Sequence, residues 1–308
     1  MTFDVRRMLL LAEVARRGSL TAAADALSYT PSAVSQQISR LEAETGQPLL
    51  ARHARGVTLT EAGRALVEHA ERIDRQLRAA RRSLDDIAGL RGGTLRMGTF
   101  PTIAASLLPH VVRAFRAEHP HIELTVQSAR NAGLMELLES HEIELSLMWD
   151  YPWRRLDDSV LAVTHLLDDQ TALVVAAHHP LAGRRHVSFE ELAEEHWIVR
   201  ADHPVAELLD RSCHAAGFEP RIAYRAHDYQ EAQAMAAVGL GIALAPRLAL
   251  ATLRDDVVTV GLGPTAPARR ILLTRLRESR PTPSAEVISA LFVQVAEGTR
   301  REAAGLER

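Results

Sequence analysis

Between Thr30 and Arg40 the chain reads TPSAVSQQISR. Thr30, Ser32, Ser35, Gln36, Ser39 and Arg40 gather on one side of a 3.6-residue period, and Val34, Ile38 and Leu41 take the other. The outer side offers hydroxyls, an amide and a guanidinium, with no carboxylate before Glu42. Such groups can hydrogen-bond to base edges and phosphates in a major groove, where a carboxylate would be repelled. The competing reading is the solvated face of an ordinary helical bundle.

The surrounding elements must position that face. Leu20, Ala23, Ala24 and Leu27 fall at i, i+3, i+4 and i+7 of a short helix capped by Ser19. Ser28 and Tyr29 break it; Thr30 caps the next helix, with Pro31 at its first position. An earlier helix over 3–17 presents Met8, Leu11, Ala12 and Ala15, and Gly18 ends it. Downstream, Leu49 and Leu50, a basic tip of Arg52, His53, Arg55 and Gly56, and the alternation Val57-Thr58-Leu59 predict a two-stranded wing ending at Thr60. Helix, turn, polar-faced helix and wing make a winged helix-turn-helix plan. From Thr60 a further helix runs to about Gly89. Leu66, Ile73, Leu77, Ala80, Leu84 and Ile87 form a heptad seam on it. The seam predicts a dimerisation helix; the alternative is one amphipathic helix packed on its own domain.

The run SLTAAADALSYTPSAVSQQISRLEAETGQPLLARHARGVTLTEAG resembles the N-terminal domain of LysR-type transcriptional regulators, and the length and layout of the chain resemble that family throughout. The resemblance implies a winged helix-turn-helix at 1–60, a linker helix at 61–90 and an α/β effector domain at 91–308. That domain would hold two Rossmann-like, periplasmic-binding-protein-like subdomains, about 92–164 plus 268–300 and about 165–267. Double-stranded DNA would be the partner, read by Thr30, Ser32, Ser35, Gln36 and Arg40 in the major groove. Arg52 and Arg55 of the wing would contact the backbone or minor groove. The chain would act as a homo-oligomer, a dimer of dimers, controlled by a small effector, an organic acid or amino acid. Three positions depart from the family pattern: Gln36 where many relatives carry Arg, Glu144 for the usual Asp, and Ala129 for the usual Gly.

The second part of the chain alternates strands and helices. Strands are expected at 94–100, 122–127, 143–149, 171–182, the end of 187–200, 221–227, 242–246 and 268–276. Helices are expected at 101–120, 131–142, the start of 187–200, 204–218, 229–241 and 284–298, with a frayed tail at 301–308. This order argues parallel α/β units. Ligands of such units lie beyond the C-terminal strand ends, against helix N-termini. That rule selects Thr99, Phe100 and Thr102; Ser128, Arg130 and Asn131; Trp149 and Asp150; Arg200, Asp202 and His203; and His227 and Asp228. The resemblance adds that relatives often place a carboxylate-holding hydroxyl at the position of Thr102. A carboxylate ligand would suit Thr102, Arg130 and Arg200, whereas Asp150, Asp202 and Asp228 keep an amine-bearing ligand open.

Composition bounds the rest. The net charge is −3, and residues 1–90 hold 13 Arg against 11 acidic residues, so DNA contact must come from local placement rather than bulk charge. All 36 basic residues are Arg. Cys213 is alone, which excludes an internal disulfide and favours a reducing compartment. With no signal peptide or membrane span expected, the cytoplasm is the expected location. His119/His121 and His178/His179 lack metal-site spacing, and no GxSxG, GxGxxG or P-loop occurs. No metal, cofactor or catalytic role is therefore expected. A solute-binding protein would lack the helix-turn-helix, and an enzyme would need a nucleophile or cofactor motif.

Overall fold

Asp4, Ser19 and Thr30 each accept a hydrogen bond from a backbone N–H two or three residues on. Each thereby starts one helix: α1 (Val5–Arg17), α2 (Leu20–Leu27) and α3 (Pro31–Thr45). Gly18, Ser28 and Gly46 end them in the left-handed region. The computed structural model describes residues 3–53, 56–88, 93–201, 203–263 and 266–306. The chain divides into two compact units near Leu90.

In the first unit, Leu11, Val14, Ala23, Ala24, Val34, Ile38 and Leu41 form one buried core beneath the three helices. Leu27, expected on the inner face, is 41 % exposed. The helix stops at Leu27, so its last turn overhangs the core. The wing pairs β1 (Leu50–His53) with β2 (Gly56–Leu59) antiparallel, Leu50 opposite Leu59. Gly56 has φ +136, and a Cβ there would stand 2.7 Å from the Gly18 carbonyl, to which Val57 N–H donates. Glycine is what lets the wing seat on the end of α1.

Thr60 caps α4 (Glu61–Ala88), donating its hydroxyl to Pro48 and accepting from Gly63 N–H. Val67 and Ala70 are buried in the unit's own core, and Leu66 and Ile73 pack against it. The first turns of the predicted seam are therefore intramolecular. Leu77 is 52 % exposed and Ala80 is exposed. The side chains of Leu84 and Ile87 lie outside the described residues.

The second unit is one continuous sheet path, β4-β3-β5-β11-β6-β9-β7-β8, with β10 on β6. β3 (Thr94–Thr99), β4 (Glu123–Ser128) and β5 (Leu145–Asp150) are parallel. So are β7 (His196–Arg200), β8 (Arg221–Ala226) and β9 (Ile242–Pro246). The two halves are joined by antiparallel strands, β6 (Leu161–Ala176) and β11 (Ala268–Leu276). β6 pairs with β11 up to Gln170 and with β9 from Thr171, so the boundary expected at 165 falls inside one strand. Its first ten residues, and β10 (Val257–Val260), carried no expectation of a strand.

Helices cover both faces. The helix expected over 101–120 is two, α5 (Pro101–Ala105) and α6 (Leu108–Glu118). Pro109 lacks an N–H, and Ser106 donates its hydroxyl to the Thr102 carbonyl, which breaks the run. α7 (Asn131–Glu139), α8 (Pro204–Ala215) and α9 (Tyr229–Ala237) start at the ends of β4, β7 and β8. α10 (Pro283–Leu306) continues through the expected frayed tail to Leu306. Glu144 accepts from Thr282 Oγ1 at 2.8 Å, which ties the start of β5 to the start of α10. Among the described residues, no helix is long and apolar enough to cross a membrane.

One ion pair lies where the two joining strands cross. Arg269, opposite Asp169 in register, donates from Nε and Nη2 to Asp169 Oδ2 at 3.0 and 2.9 Å. Both side chains are 1 % exposed, and Asp169 Oδ1 accepts from Leu248 N–H. Removing one partner strands a buried charge. Asp169→Ala should destabilise the second unit by about 3–5 kcal/mol in urea denaturation of the full chain, and replacing both residues by apolar ones should cost far less.

Candidate nucleic-acid interface and ligand cleft

On α3, Thr30, Ser32, Gln36, Ser39 and Arg40 are exposed and Ser35 is half-buried. Thr30 Oγ1 accepts from Ala33 N–H at 3.2 Å and lies 3.1 Å from Ser32 Oγ, so it is first a helix cap. The helix's carboxylates are engaged elsewhere. Glu42 Oε1 accepts from the N–H groups of Leu49 (2.8 Å) and Leu50 (3.2 Å), holding the start of the wing. Glu44 pairs with Arg7, whose Nε donates to Gln37 at 3.0 Å. Arg7 thus anchors α3 on α1. Arg55 lies outside the described residues, as does the side chain of Arg52. Tyr29, read from sequence only as a helix breaker, projects 59 % exposed directly before Thr30.

The second unit contains a cavity of about 810 Å³ at the C-terminal strand ends of both halves. Phe100, Thr102, Ser128, Arg130, Asn131, Trp149, Arg200 and His203 all line it, as expected. Four further described residues of the rule do not. Thr99 is buried at the end of β3 and is not a lining residue. Asp228 caps α9, accepting from Glu231 N–H at 2.7 Å, and the His227 carbonyl accepts from Arg200 Nε at 2.9 Å, so both support the wall rather than form it. Asp202 lies outside the described residues. Asp150, 2 % exposed, accepts from Arg270 Nε (2.8 Å) and Nη2 (2.6 Å), Arg155 Nη1 (3.0 Å) and Leu156 N–H (3.1 Å). Burial pushes its carboxyl up, and the Arg270 pair with the other donors outweighs that and holds it below the usual range.

The sequence rule missed the segment after β5. Tyr151, Arg154, Arg155, Leu156 and Asp157 line the cavity, as do Met135, Met148 and Glu207. The run YPWRR was visible, but no strand-end rule reaches past the first loop residues. Trp149 is central to the aromatic wall. Its ring lies 6.4 Å from Phe100, 5.7 Å from Tyr151 and 5.6 Å from His203. The buried Arg269 guanidinium lies 5.3 Å from the Phe100 ring and 5.8 Å from that of Trp149.

His203 caps α8, its Nδ1 accepting from Val205 N–H at 3.2 Å. Burial, then the charges of Arg200, Arg269 and Arg130, push its imidazole down to about 3, so it is neutral at pH 7. Cys213 is buried and pushed up to about 12, chiefly by burial, which leaves it an inert thiol.

A polar-faced helix with a wing in one unit, and a two-sided cleft at strand ends in the other, are the parts of a DNA-binding regulator with an effector-binding domain. Residues 5–64 match the bacterial regulatory helix-turn-helix protein family of lysR type, and residues 88–297 match the LysR substrate binding domain. The chain belongs to the LysR family of transcriptional regulators. It is 28 % identical over 245 residues to the transcriptional dual regulator GltC of Bacillus subtilis, covering 79 % of this chain and 80 % of that one. It is 27 % identical to the hydrogen peroxide-inducible genes activator of Dickeya chrysanthemi, covering 88 % of each. The fold is similar to that of CbnR bound to its target DNA, with TM-score 0.68, 24 % identity and coverage of 96 % and 99 %. It is also similar to full-length BenM, with TM-score 0.59, 20 % identity and 98 % coverage of both chains.

The depressed His203 pKa sets a pH dependence. The unfolded imidazole takes a proton below about 6.5 and the folded one only near 3, so the unfolded state binds more protons in that window. Stability is unaffected above 6.5 and falls as pH drops below it. His203→Asn, which keeps a capping acceptor, should remove about 2 kcal/mol of the loss between pH 6.5 and 5 in denaturation of the full chain.

Proposed function

We propose that the chain is a sequence-specific regulator in which paired copies read DNA and a small effector in the cleft sets the geometry of the oligomer. The supporting observation is the outer face of α3, which is exposed and polar while Glu42 and Glu44 are both bound inside the unit. Ser32, Ser35, Gln36 and Arg40 take the major groove, Thr30 caps the helix at its edge, and Arg52 and Arg55 take the backbone or minor groove. CbnR was solved with its target DNA, and this chain shares its fold. A DNA partner supports the cytoplasmic location expected from the sequence.

Pairing is assigned to α4 beyond its intramolecular turns, where Leu77 is exposed. Two linked readers gain avidity on two half-sites, and a dimer of dimers extends this to four. Closure of the two halves about β6 and β11 changes how the copies are spaced. The cleft is a binding site: its His203 is a helix cap whose Nδ1 accepts from Val205 N–H and whose ring packs tilted against Trp149. The effector is an organic acid or an amino acid.

Gln36→Ala should weaken binding to the cognate site by roughly 1–3 kcal/mol in fluorescence anisotropy and leave binding to random DNA nearly unchanged. Equal losses on both would contradict base reading. Leu77→Glu should shift the assembly toward monomer in sedimentation and lower cognate affinity with it; an unchanged assembly would remove α4 as the pairing element.

A further inference from the structure

Resting on the effector reading above, we propose that the ligand of the cleft is an aromatic carboxylate, a flat ring carrying one anionic end. The aromatic wall defines the ring. Phe100, Trp149 and Tyr151 come from one half and His203 from the other, all within ring-contact distance of Trp149. His203 is held neutral and adds no charge to this strip, and the Arg269 guanidinium beside Phe100 and Trp149 is paired with Asp169. Flat π-faces on both sides of a cleft favour a flat ring over a saturated one of the same size.

Charge defines the other end. Arg130, Arg154 and Arg200 line the cavity against Asp157 and Glu207, beside Arg155, which is bound to Asp150. Asp157 already accepts from the Ser159 N–H (2.9 Å) and hydroxyl (2.6 Å). Two of the three carboxylates that would have welcomed an amine are committed within the protein: Asp150 to Arg270, Arg155 and Leu156, and Asp228 to the start of α9; the third, Asp202, lies outside the described residues. The balance selects an anion.

A third feature points to a ligand acceptor. Tyr151 lines the cavity, is 1 % exposed, and its hydroxyl has no hydrogen-bond partner in the structure. Burial raises its pKa, so the hydroxyl keeps its proton and remains a donor. Buried donors are almost always paired, and a ligand oxygen would supply the missing acceptor. Trp149 is anchored for this role, because its carbonyl accepts from Asn131 Nδ2 at 2.6 Å.

Calorimetric titration of the full chain separates the terms. The probes are benzoate, cyclohexanecarboxylate, benzamide, succinate and glycine. Benzoate should bind, and cyclohexanecarboxylate and benzamide should each bind about tenfold more weakly. Trp149→Leu should weaken benzoate about tenfold. Tyr151→Phe, which keeps the ring and its packing, should weaken benzoate about threefold and leave the melting temperature of the free protein near wild type. Cyclohexanecarboxylate binding as tightly as benzoate, or no response to benzoate, overturns the aromatic assignment. Succinate or glycine binding in its place, and lost in Thr102→Val, overturns that assignment while the effector cleft stands. Benzoate binding that ignores Trp149→Leu, Tyr151→Phe and Thr102→Val alike overturns the cleft itself.

Discussion

The second unit depends on the Arg269–Asp169 pair. The chain must pass twice between two parallel half-sheets, and it does so on β6 and β11, whose register sets these residues opposite each other. A buried guanidinium is tolerated when its charge is paired, and here Asp169 Oδ2 takes its Nε and Nη2 while Oδ1 holds the Leu248 N–H. The same guanidinium sits beside Phe100 and Trp149. One pair therefore fixes the crossing of the strands and the floor under the aromatic wall. Any shift in how the halves meet is felt by the rings that line the cleft.

The reading unit meets the opposite demand. Its surface must present polar groups with nothing of the wrong sign among them, yet α3 contains Glu42 and Glu44. Both are turned into structure. Glu42 takes the two N–H groups that open the wing, and Glu44 takes Arg7 from α1. A charge that would repel phosphate becomes the tie that orients the helix. The wing is seated by a backbone bond from Val57 to Gly18, and Gly56 permits the approach.

Local signals made the first unit readable. Caps at Ser19, Thr30 and Thr60, Pro31 at a first helical position, and short apolar periods each specify structure within a few residues. The strand-end rule also found eight lining residues of the cleft, because the starts of helices after parallel strands are local too. What escaped depended on distance along the chain. Arg269 and Asp169 are 100 residues apart and read as surface charges in isolation. Asp150 looked like a ligand group until Arg270, 120 residues on, claimed it. The first half of β6 carries polar residues at His165, Asp168, Asp169 and Gln170, which hid its strand character. The heptad on α4 was real as a pattern, but Val67 and Ala70 show that its first turns serve the monomer core.

A regulator with net charge −3 cannot rely on long-range attraction to hold DNA. Its binding energy must come from local contacts, to phosphates for affinity and to base edges for discrimination of about 1–3 kcal/mol each. Few such contacts fit on one four-turn helix and a small wing, so under the proposed pairing specificity grows with the number of copies held in register. Small changes in the spacing of copies then alter affinity steeply. In that proposal the cleft is where such changes begin, because its wall is drawn from both halves, with Trp149 on one side meeting His203 on the other, and a ligand that touches both favours one arrangement of them.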